Sequence, residues 1–265
     1  MNNISRTLQL LLLGGTVVAK MSAIGACSNS YLQGSYGAQM SGVTTSSLGS
    51  GVGGDSRVGT ASLAGPVTNS ARYTFDGAGN VAGYAFANAG GVLLRNATAG
   101  TYSVNDDCSV FITLTDSAGS VQNFEGVTAA RGDKILLIQT DSGAGLSGVL
   151  LRSRNFCSTA DFSGTYGYQR QGSNPFFTSV GVVNSDGNGN FTMTQLLYSS
   201  STFSRSSNFG TYVVGDDCSL TLTLGQTSAG DSTLNIRGQL VSNGTEVMAI
   251  RTDPGSTIIG NFTSQ

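Results

Sequence analysis

Short runs in which apolar and polar residues alternate, separated by glycine-rich turns, recur along most of the chain. In the second half these runs span about 162–171, 176–185, 190–199, 203–215, 218–225, 232–241, 245–252 and 256–263. Alternation over such lengths is typical of β-strands with one buried face, and Asp-Gly and Asn-Gly pairs are preferred in tight turns. The pattern predicts eight sequential antiparallel strands in this half of the chain.

The same series of motifs occurs twice along the chain. CSNSYLQGSYG matches CSTADFSGTYG, FDGAGN matches SDGNGN, GTYSVNDDCS matches GTYVVGDDCS, and IQTDSG matches IRTDPG, in the same order. Four matches in series indicate an internal duplication. We predict a first repeat over 27–154, with a lid-like Gly- and Ser-rich insertion near 43–61, and a second repeat over 155–265.

Each repeat is predicted to be an all-β, eight-stranded antiparallel up-and-down barrel, because closing the sheet removes both exposed edges. A two-sheet sandwich is the alternative. The turns after the second, fourth and sixth strands are short, so we expect them to form a closed end. The insertion follows the first strand and is therefore expected at the open end.

The N-terminal segment 1–26 has the features of a signal peptide. Arg6 precedes an apolar run that is too short to span a bilayer, and small residues precede Cys27. An exported protein located in the periplasm, at the cell surface or in the medium is therefore expected. No later segment is apolar enough to predict a transmembrane helix.

Composition narrows the class of partner. Charged residues make up 11% of the chain, the formal net charge is −2, and no basic run is present. The chain therefore lacks the electrostatic footprint of a nucleic-acid-binding protein.

The four cysteines occupy equivalent places in the two repeats. Of three possible pairings, the duplication favours Cys27 with Cys108 and Cys157 with Cys218, and an exported chain would meet an oxidising compartment. The IGAC stretch ending at Cys27 also resembles a bacterial lipobox. A lipid-anchored Cys27 is the alternative to the disulfide.

GSYG and GTYG, each opening an eight-strand pattern, resemble the G-x-W start of lipocalins and of avidin-like barrels, with tyrosine in place of tryptophan. The combination of FDGxGN, GTYxV followed by DDC, and IxTDxG resembles tandem repeats of uncharacterised secreted bacterial β-barrel proteins. The first resemblance implies a calycin-like barrel that binds a small apolar or amphipathic ligand. The second implies no activity.

Three motifs allow a functional interpretation beside a structural one. The DGAGN and DGNGN stretches, at Asp76 and Asp186, offer oxygen ligands for calcium but are also preferred turn sequences. The adjacent acids of NDDC and GDDC suggest a carboxylate pair, yet neighbours on a strand point to opposite faces. The RGD at Arg131 is expected at a hairpin tip. We interpret all three as turns, and we predict no metal site.

Catalytic chemistry has few candidates. The chain contains no histidine and no G-x-S-x-G. Asp141 and Asp253, at the predicted open end, are the best remaining acids, although a turn role is the simpler interpretation. We predict no enzyme activity and no cofactor.

Aromatic residues on alternating strand positions provide the ligand-site prediction. Its members, all expected to face a barrel interior or its open end, are Tyr36, Tyr102, Tyr166, Tyr168, Tyr212, Asp141 and Asp253. If the interiors are open, the protein binds a small apolar or amphipathic ligand. If side chains fill them, it is a structural or cell-surface interaction protein with a surface or self-association partner.

Overall fold

A computed structural model of the chain describes residues 26–45, 64–89, 92–173, 176–199, 201–225 and 234–265. The predicted signal peptide, apart from its last residue, and most of the predicted lid near 43–61 lie outside the described residues. Within the described part, none of the helices is long and apolar enough to cross a membrane.

The first repeat folds into a closed barrel of eight antiparallel strands. They are β1 (Gln33–Thr44), β2 (Gly65–Asp76), β3 (Asn80–Ala89), β4 (Val92–Val104), β5 (Ser109–Asp116), β6 (Val121–Ala129), β7 (Lys134–Gln139) and β8 (Ala144–Arg152). Each strand pairs with the next, and β1 pairs with β8 to close the sheet.

The second repeat forms a barrel of the same order. Its strands are β9 (Ser163–Ser173), β10 (Phe176–Asp186), β11 (Asn190–Ser199), β12 (Thr202–Val214), β13 (Ser219–Gly225), β14 (Leu234–Val241), β15 (Glu246–Arg251) and β16 (Ile258–Ser264). β16 pairs with β9. The prediction of two tandem up-and-down barrels is therefore confirmed, and the sandwich alternative is wrong.

Turn chemistry fixes the register at the same points in both barrels. Asp76 Oδ1 accepts hydrogen bonds from the backbone N–H groups of Ala78, Gly79 and Asn80 at 2.7, 2.9 and 2.9 Å. Asp186 makes the same kind of turn in the second barrel. These are Asx-type turns, in which the carboxylate satisfies the backbone donors of the hairpin.

Aromatic rings fill the interior next to the closed end of each barrel. In the first barrel Phe75 packs edge to face against Tyr36 and Tyr102, with ring centroids 5.2 and 5.0 Å apart. In the second barrel Phe162 occupies the centre of a similar cluster with Tyr166 and Tyr212. Edge-to-face pairs of this kind add to the stability gained from burial.

Disulfides fix the N-terminal segment of each repeat to the closed end. Cys27 is joined to Cys108 and Cys157 to Cys218, the pairing that the duplication favours. Each bridge joins the segment before the first strand to the turn between the fourth and fifth strands. The closed end of each barrel is thus cross-linked across its floor.

Candidate functional site

Four of the five tyrosines in the predicted ligand site lie at the closed ends and bond to the backbone there. Tyr102 Oη donates to the carbonyls of Asn29 and Leu32 at 3.0 and 2.9 Å. Tyr212 Oη is placed equivalently, 3.2 and 2.8 Å from the carbonyls of Thr159 and Phe162. These hydroxyls hold the short 3-10 helices Asn29–Tyr31 and Thr159–Asp161 that begin each repeat.

Tyr36 and Tyr166 bond to the hairpin between the sixth and seventh strands. Tyr36 Oη donates to the carbonyl of Gly132 at 2.6 Å, and Tyr166 Oη to that of Gly244 at 3.3 Å. Burial is the main cause that raises the pKa of Tyr36 to about 12. The hydroxyl of Tyr36 is therefore a structural donor that stays protonated at neutral pH.

Asp141 and Asp253 lie at the other end of the barrels, in the turns that follow β7 and β15. Asp141 accepts bonds from the backbone N–H and side-chain amide of Asn123, both at 2.8 Å, and from Gln139 at 2.8 Å. Burial would raise the pKa of Asp141, but these hydrogen bonds outweigh it and the pKa is lowered. Asp253 holds Asn235 in the same way and is paired with Arg251 at 2.8 Å.

The predicted site residues thus do not form one site. Tyr36 and Tyr102 lie at the opposite end of the first barrel from Asp141, and Asp253 is separated in the same way from Tyr166 and Tyr212 in the second. Tyr168 alone lies midway along an interior. Among the described residues, no cluster of histidine, cysteine, aspartate and glutamate is arranged to hold a metal ion.

The open-end interior of the second barrel is polar. We use this name for Tyr168, Arg170, Ser179, Gln195 and Ser206. Arg170 is 4% exposed and donates to Gln195 Oε1 at 2.8 Å and Ser179 Oγ at 3.3 Å. Tyr168 donates to Gln195 Oε1 at 2.7 Å, and Gln195 donates to Ser206 Oγ at 2.9 Å. Burial lowers the pKa of Arg170.

The open-end interior of the first barrel has different side chains at the same places. Ala38, Met40, Asn69, Ala85 and Asn96 are equivalent, in order, to the five residues of the second barrel. Asn69 Oδ1 and Asn96 Oδ1 are buried without a hydrogen-bond partner. Unpaired buried acceptors are unfavourable against hydrocarbon. The open-end interior of the second barrel therefore lacks the apolar lining expected of a site for a small apolar ligand, whereas in the first barrel Ala38, Met40 and Ala85 are packed into the apolar core.

A large part of the polar outer surface of the first barrel is buried against the second barrel. We call the outer sides of the first three strands of either barrel its strand 1–3 face, and those of the sixth and seventh strands its strand 6–7 face. The strand 1–3 face of the first barrel packs against the strand 6–7 face of the second. Gln39 Nε2 crosses this interface and donates to the carbonyls of Ala249 and Gly260 at 2.8 and 3.0 Å.

A charged cluster fixes one edge of the interface. Tyr84 Oη donates to the carboxylate of Asp217 and accepts a bond from Gln239 Nε2 at 3.1 Å. Arg72 donates to the backbone carbonyl of Asp217. Burial is the main cause that raises the pKa of Tyr84 to about 12, and the bond to Asp217 adds to it. The second acid of the GDDC motif therefore acts in domain contact and not in a catalytic pair.

Close packing completes the interface. A Cβ atom placed on Gly37 would lie 2.5 Å from Val241 Cγ1 and 2.8 Å from Gln239 Cβ, so only glycine fits there without rearrangement. The guanidinium of Arg237 lies 4.7 Å from the ring centroid of Phe86, a cation–π contact. The two barrels are held by specific contacts and not only by the segment that links them.

The interface between the barrels was not predicted from the sequence, because the residues that form it are mostly polar. Gln39, Ser70 and Arg72 alternate with core residues as solvent-facing side chains do, and the second repeat has a glutamine at the position of Gln39. A usable signal is the pair of aromatics at Tyr84 and Phe86, which occupy outward positions of β3.

Apolar side chains are exposed on the second barrel. Phe176, Tyr198 and Phe203 pack together near the open end, with ring centroids 6.0 and 4.8 Å apart along the series. Phe176 and Phe203 are 66% and 72% exposed. Beside them lies a surface groove of about 200 Å³ whose lining includes Gln169, Val180 and Leu196.

The RGD tripeptide lies in the hairpin between β6 and β7. Arg131 and Asp133 are exposed, whereas Gly132 is buried beneath them. Asp133 forms an ion pair with Arg152 at 2.6 Å, and the carbonyl of Gly132 accepts the bond from Tyr36. The structure thus gives two members of the tripeptide a role in closing the barrel.

Comparison with known proteins gives little further information. No protein-family model and no curated protein sequence matches the chain. Among solved structures, the chain is similar to the isotype 1 transferrin binding protein B from serogroup B Neisseria meningitidis, with 7% identity and a TM-score of 0.29. The alignment covers 87% of this chain and 76% of that chain. The function has to be inferred from the geometry of this chain.

Proposed function

We propose that the protein is an exported, non-enzymatic interaction protein that works through the outer surfaces of its two barrels. The observation that carries this proposal is the exposed aromatic cluster of Phe176, Tyr198 and Phe203 together with its neighbours Val180 and Leu196. Contiguous apolar surface of this kind on a protein usually marks a site of contact with another macromolecule.

The interiors support the same conclusion. Aromatic rings occupy the closed-end half of each barrel. Hydrogen-bonded polar groups occupy the open-end half of the second barrel, and packed apolar side chains with unpaired amide oxygens occupy that of the first. Eight-stranded barrels have interiors just wide enough for side chains to fill. A small apolar ligand is therefore a poorer explanation of the fold than contacts at the surface.

The joint between the barrels supports an interaction role as well. Gln39, Tyr84 and Arg72 each bond across the interface, and Gly37 is packed too tightly for any side chain. These contacts set how the outer faces of the two barrels are oriented relative to each other in the structure. Such an arrangement suits a spacer or adhesive unit.

The cysteines support export. Structural disulfides persist in oxidising compartments, which makes the periplasm, the cell surface or the medium the proposed location. In the structure the sulfur of Cys27 is bonded to Cys108. A lipid thioether on Cys27 would need that sulfur, so we propose the disulfide form and not the lipoprotein form.

Native mass spectrometry of the exported protein, recovered with its disulfides intact, tests this proposal. We expect bare protein of disulfide-bonded mass, alone or in complexes with protein. A discrete small molecule that stays bound under native conditions and leaves on denaturation would overturn the proposal in favour of a ligand-binding barrel. A diacylglycerol-sized increment would overturn the assignment of Cys27.

A further inference from the structure

The contact between the barrels joins two different faces of the same repeated fold. The strand 1–3 face of the first barrel, centred on Gly37 and Gln39, meets the strand 6–7 face of the second, which carries Gln239, Met248 and Ile250. Because the barrels are copies of one another, each has both faces. Among the residues that the structure describes, one strand 1–3 face and one strand 6–7 face are therefore not used in the contact between the barrels.

The two unused faces lie on different barrels, and both border the cleft between them. Gly167 and Gln169 of the strand 1–3 face of the second barrel line this cleft together with Lys134 of the first barrel. Val149, which pairs with Leu136 on the strand 6–7 face of the first barrel, lines the same cleft.

The unused face of the second barrel retains the close-packing features of the used one. Gly167 and Gln169 occupy the positions of Gly37 and Gln39. A Cβ on Gly167 would lie no closer than 3.4 Å to any atom, the nearest being the end of the Gln265 side chain, so nothing within the chain requires glycine there. Gln169 is exposed, whereas Gln39 is buried at the interface.

The same face is more apolar than its counterpart. Val180, Leu196 and Tyr198 stand at the positions of Ser70, Phe86 and Asn88, which are buried between the barrels. Val180 is 55% and Leu196 39% exposed. They line the groove described above, together with Gln169.

The unused strand 6–7 face of the first barrel carries exposed apolar side chains at the positions that are buried in the interface of the second barrel. Val127, Leu136 and Ile138 stand at the positions of Gln239, Met248 and Ile250. The three residues of the second barrel are at most 3% exposed, whereas those of the first are 47%, 45% and 54% exposed. These apolar side chains are therefore not covered by the other barrel in the described part of the chain.

The two unused faces also lack a polar pair that the internal interface contains. In the internal interface, Gln239 bonds to Tyr84 and so satisfies a buried hydroxyl. On the unused faces the equivalent residues are Val127 and Thr194, so this polar pair is replaced on one side by a hydrocarbon. The unused strand 6–7 face is therefore more apolar at this position than the face used in the internal interface.

We propose that the protein self-associates head to tail, with the strand 1–3 face of the second barrel of one molecule on the strand 6–7 face of the first barrel of the next. This inference deepens the proposed function by naming a second copy of the chain as the partner. A contact between two different faces continues from molecule to molecule. Such a contact builds a closed ring or an open series of molecules.

Sedimentation velocity of the exported, disulfide-bonded protein over a range of concentrations tests this inference. We expect dimers and longer species that grow with concentration. Leu196→Arg places a charge on one unused face and Ile138→Asp places one on the other. Each variant alone should stay monomeric under conditions where the parent associates, with the association constant lowered about tenfold or more.

Mixing the two variants identifies the geometry. Each retains one intact face, and the two intact faces are complementary, so an equimolar mixture should form dimers but nothing longer. Val213→Arg changes an exposed residue that lies on neither face and should associate as the parent does. Circular dichroism of every variant checks that the barrels remain folded.

A parent protein that stays monomeric at all concentrations would overturn the inference, as would association that survives both face variants or a mixture that gives no dimer. The proposed function would stand after such a result if native mass spectrometry still found no small ligand. A bound ligand, in contrast, would overturn the proposed function whatever the association state.

Discussion

The closed ends of the two barrels are built alike, whereas their open-end interiors are not. At the closed ends, Tyr36 and Tyr102 are matched by Tyr166 and Tyr212, and each barrel has one disulfide. At this end the tyrosine hydroxyls bond to backbone carbonyls, and the disulfide holds the N-terminal segment that closes the barrel. Both copies have therefore kept the same closure.

At the open ends the choice of interior side chains is less constrained, and the two barrels differ there. Arg170 and Gln195 of the second barrel stand where the first has Met40 and Ala85. A buried guanidinium requires acceptors, which Gln195 and Ser179 supply, whereas methionine and alanine require none. Side chains in this region can change so long as each polar group finds a partner, and the first barrel has not fully met that condition.

The largest expected effect is a loss of stability on removing a disulfide, and it should be nearly the same for the two barrels. Removing the disulfide of the second barrel with Cys157→Ala and Cys218→Ala releases a loop of 61 residues and should lower the free energy of unfolding by about 4 kcal/mol on the chain-entropy model. Removing Cys27 and Cys108, separated by 81 residues, should cost nearly the same, because the dependence on loop length is logarithmic.

Urea denaturation of the two double variants measures both losses. Equal losses would support two floors of equal importance. A loss in one barrel several times that in the other would contradict the idea that the closed ends are equivalent.

The next largest effect on stability should differ between equivalent positions of the two barrels. Gly37→Ala forces a Cβ into Val241 and Gln239 and should destabilise the protein by about 1–3 kcal/mol. Gly167→Ala, at the equivalent position on the unused face, meets no such obstacle and should change stability by less than about 0.5 kcal/mol. The two substitutions have similar effects on the unfolded chain, so their difference reports the interface.

Thermal unfolding of both variants at low protein concentration makes this comparison. Equal midpoints would show that the barrels do not pack through Gly37. At high concentration Gly167→Ala acquires a second use, since it should weaken the proposed self-association.

A smaller difference in stability is expected between substitutions of the closed-end tyrosines Tyr36 and Tyr166. Tyr36→Phe removes a buried hydrogen bond of 2.6 Å to Gly132 and should cost about 1 kcal/mol. Tyr166→Phe removes a longer bond of 3.3 Å to Gly244 and should cost less. Urea midpoints of the two variants decide the order, and a larger loss for Tyr166→Phe would contradict it.

Much of this fold could be predicted from the sequence, because turns and alternation are local signals. The strand predicted at 176–185 is observed as Phe176–Asp186, and that at 190–199 as Asn190–Ser199. The interface could not be predicted in this way, because Gln39 and Gln169 are identical in sequence and differ only in whether another barrel covers them. The structure separates the predicted ligand-site residues for a related reason: alternation places Tyr36 and Tyr102 in an interior but does not say at which end.

The last prediction concerns alkaline pH, where the first barrel should be the more sensitive. Tyr73, fully buried in it, has a pKa raised by burial, whereas the equivalent Val183 does not titrate. Because the folded pKa lies above the unfolded value of about 10, folding keeps a proton that the unfolded chain releases, and stability is lost as the pH rises above 10. Tyr73→Phe removes this term and should shift the alkaline unfolding midpoint upward, as measured by circular dichroism between pH values of about 9 and 12. Tyr168→Phe is the matched variant, because burial also raises the pKa of Tyr168 in the second barrel. It should shift the midpoint less, because Tyr168 lies beside Arg170, whose charge opposes the shift.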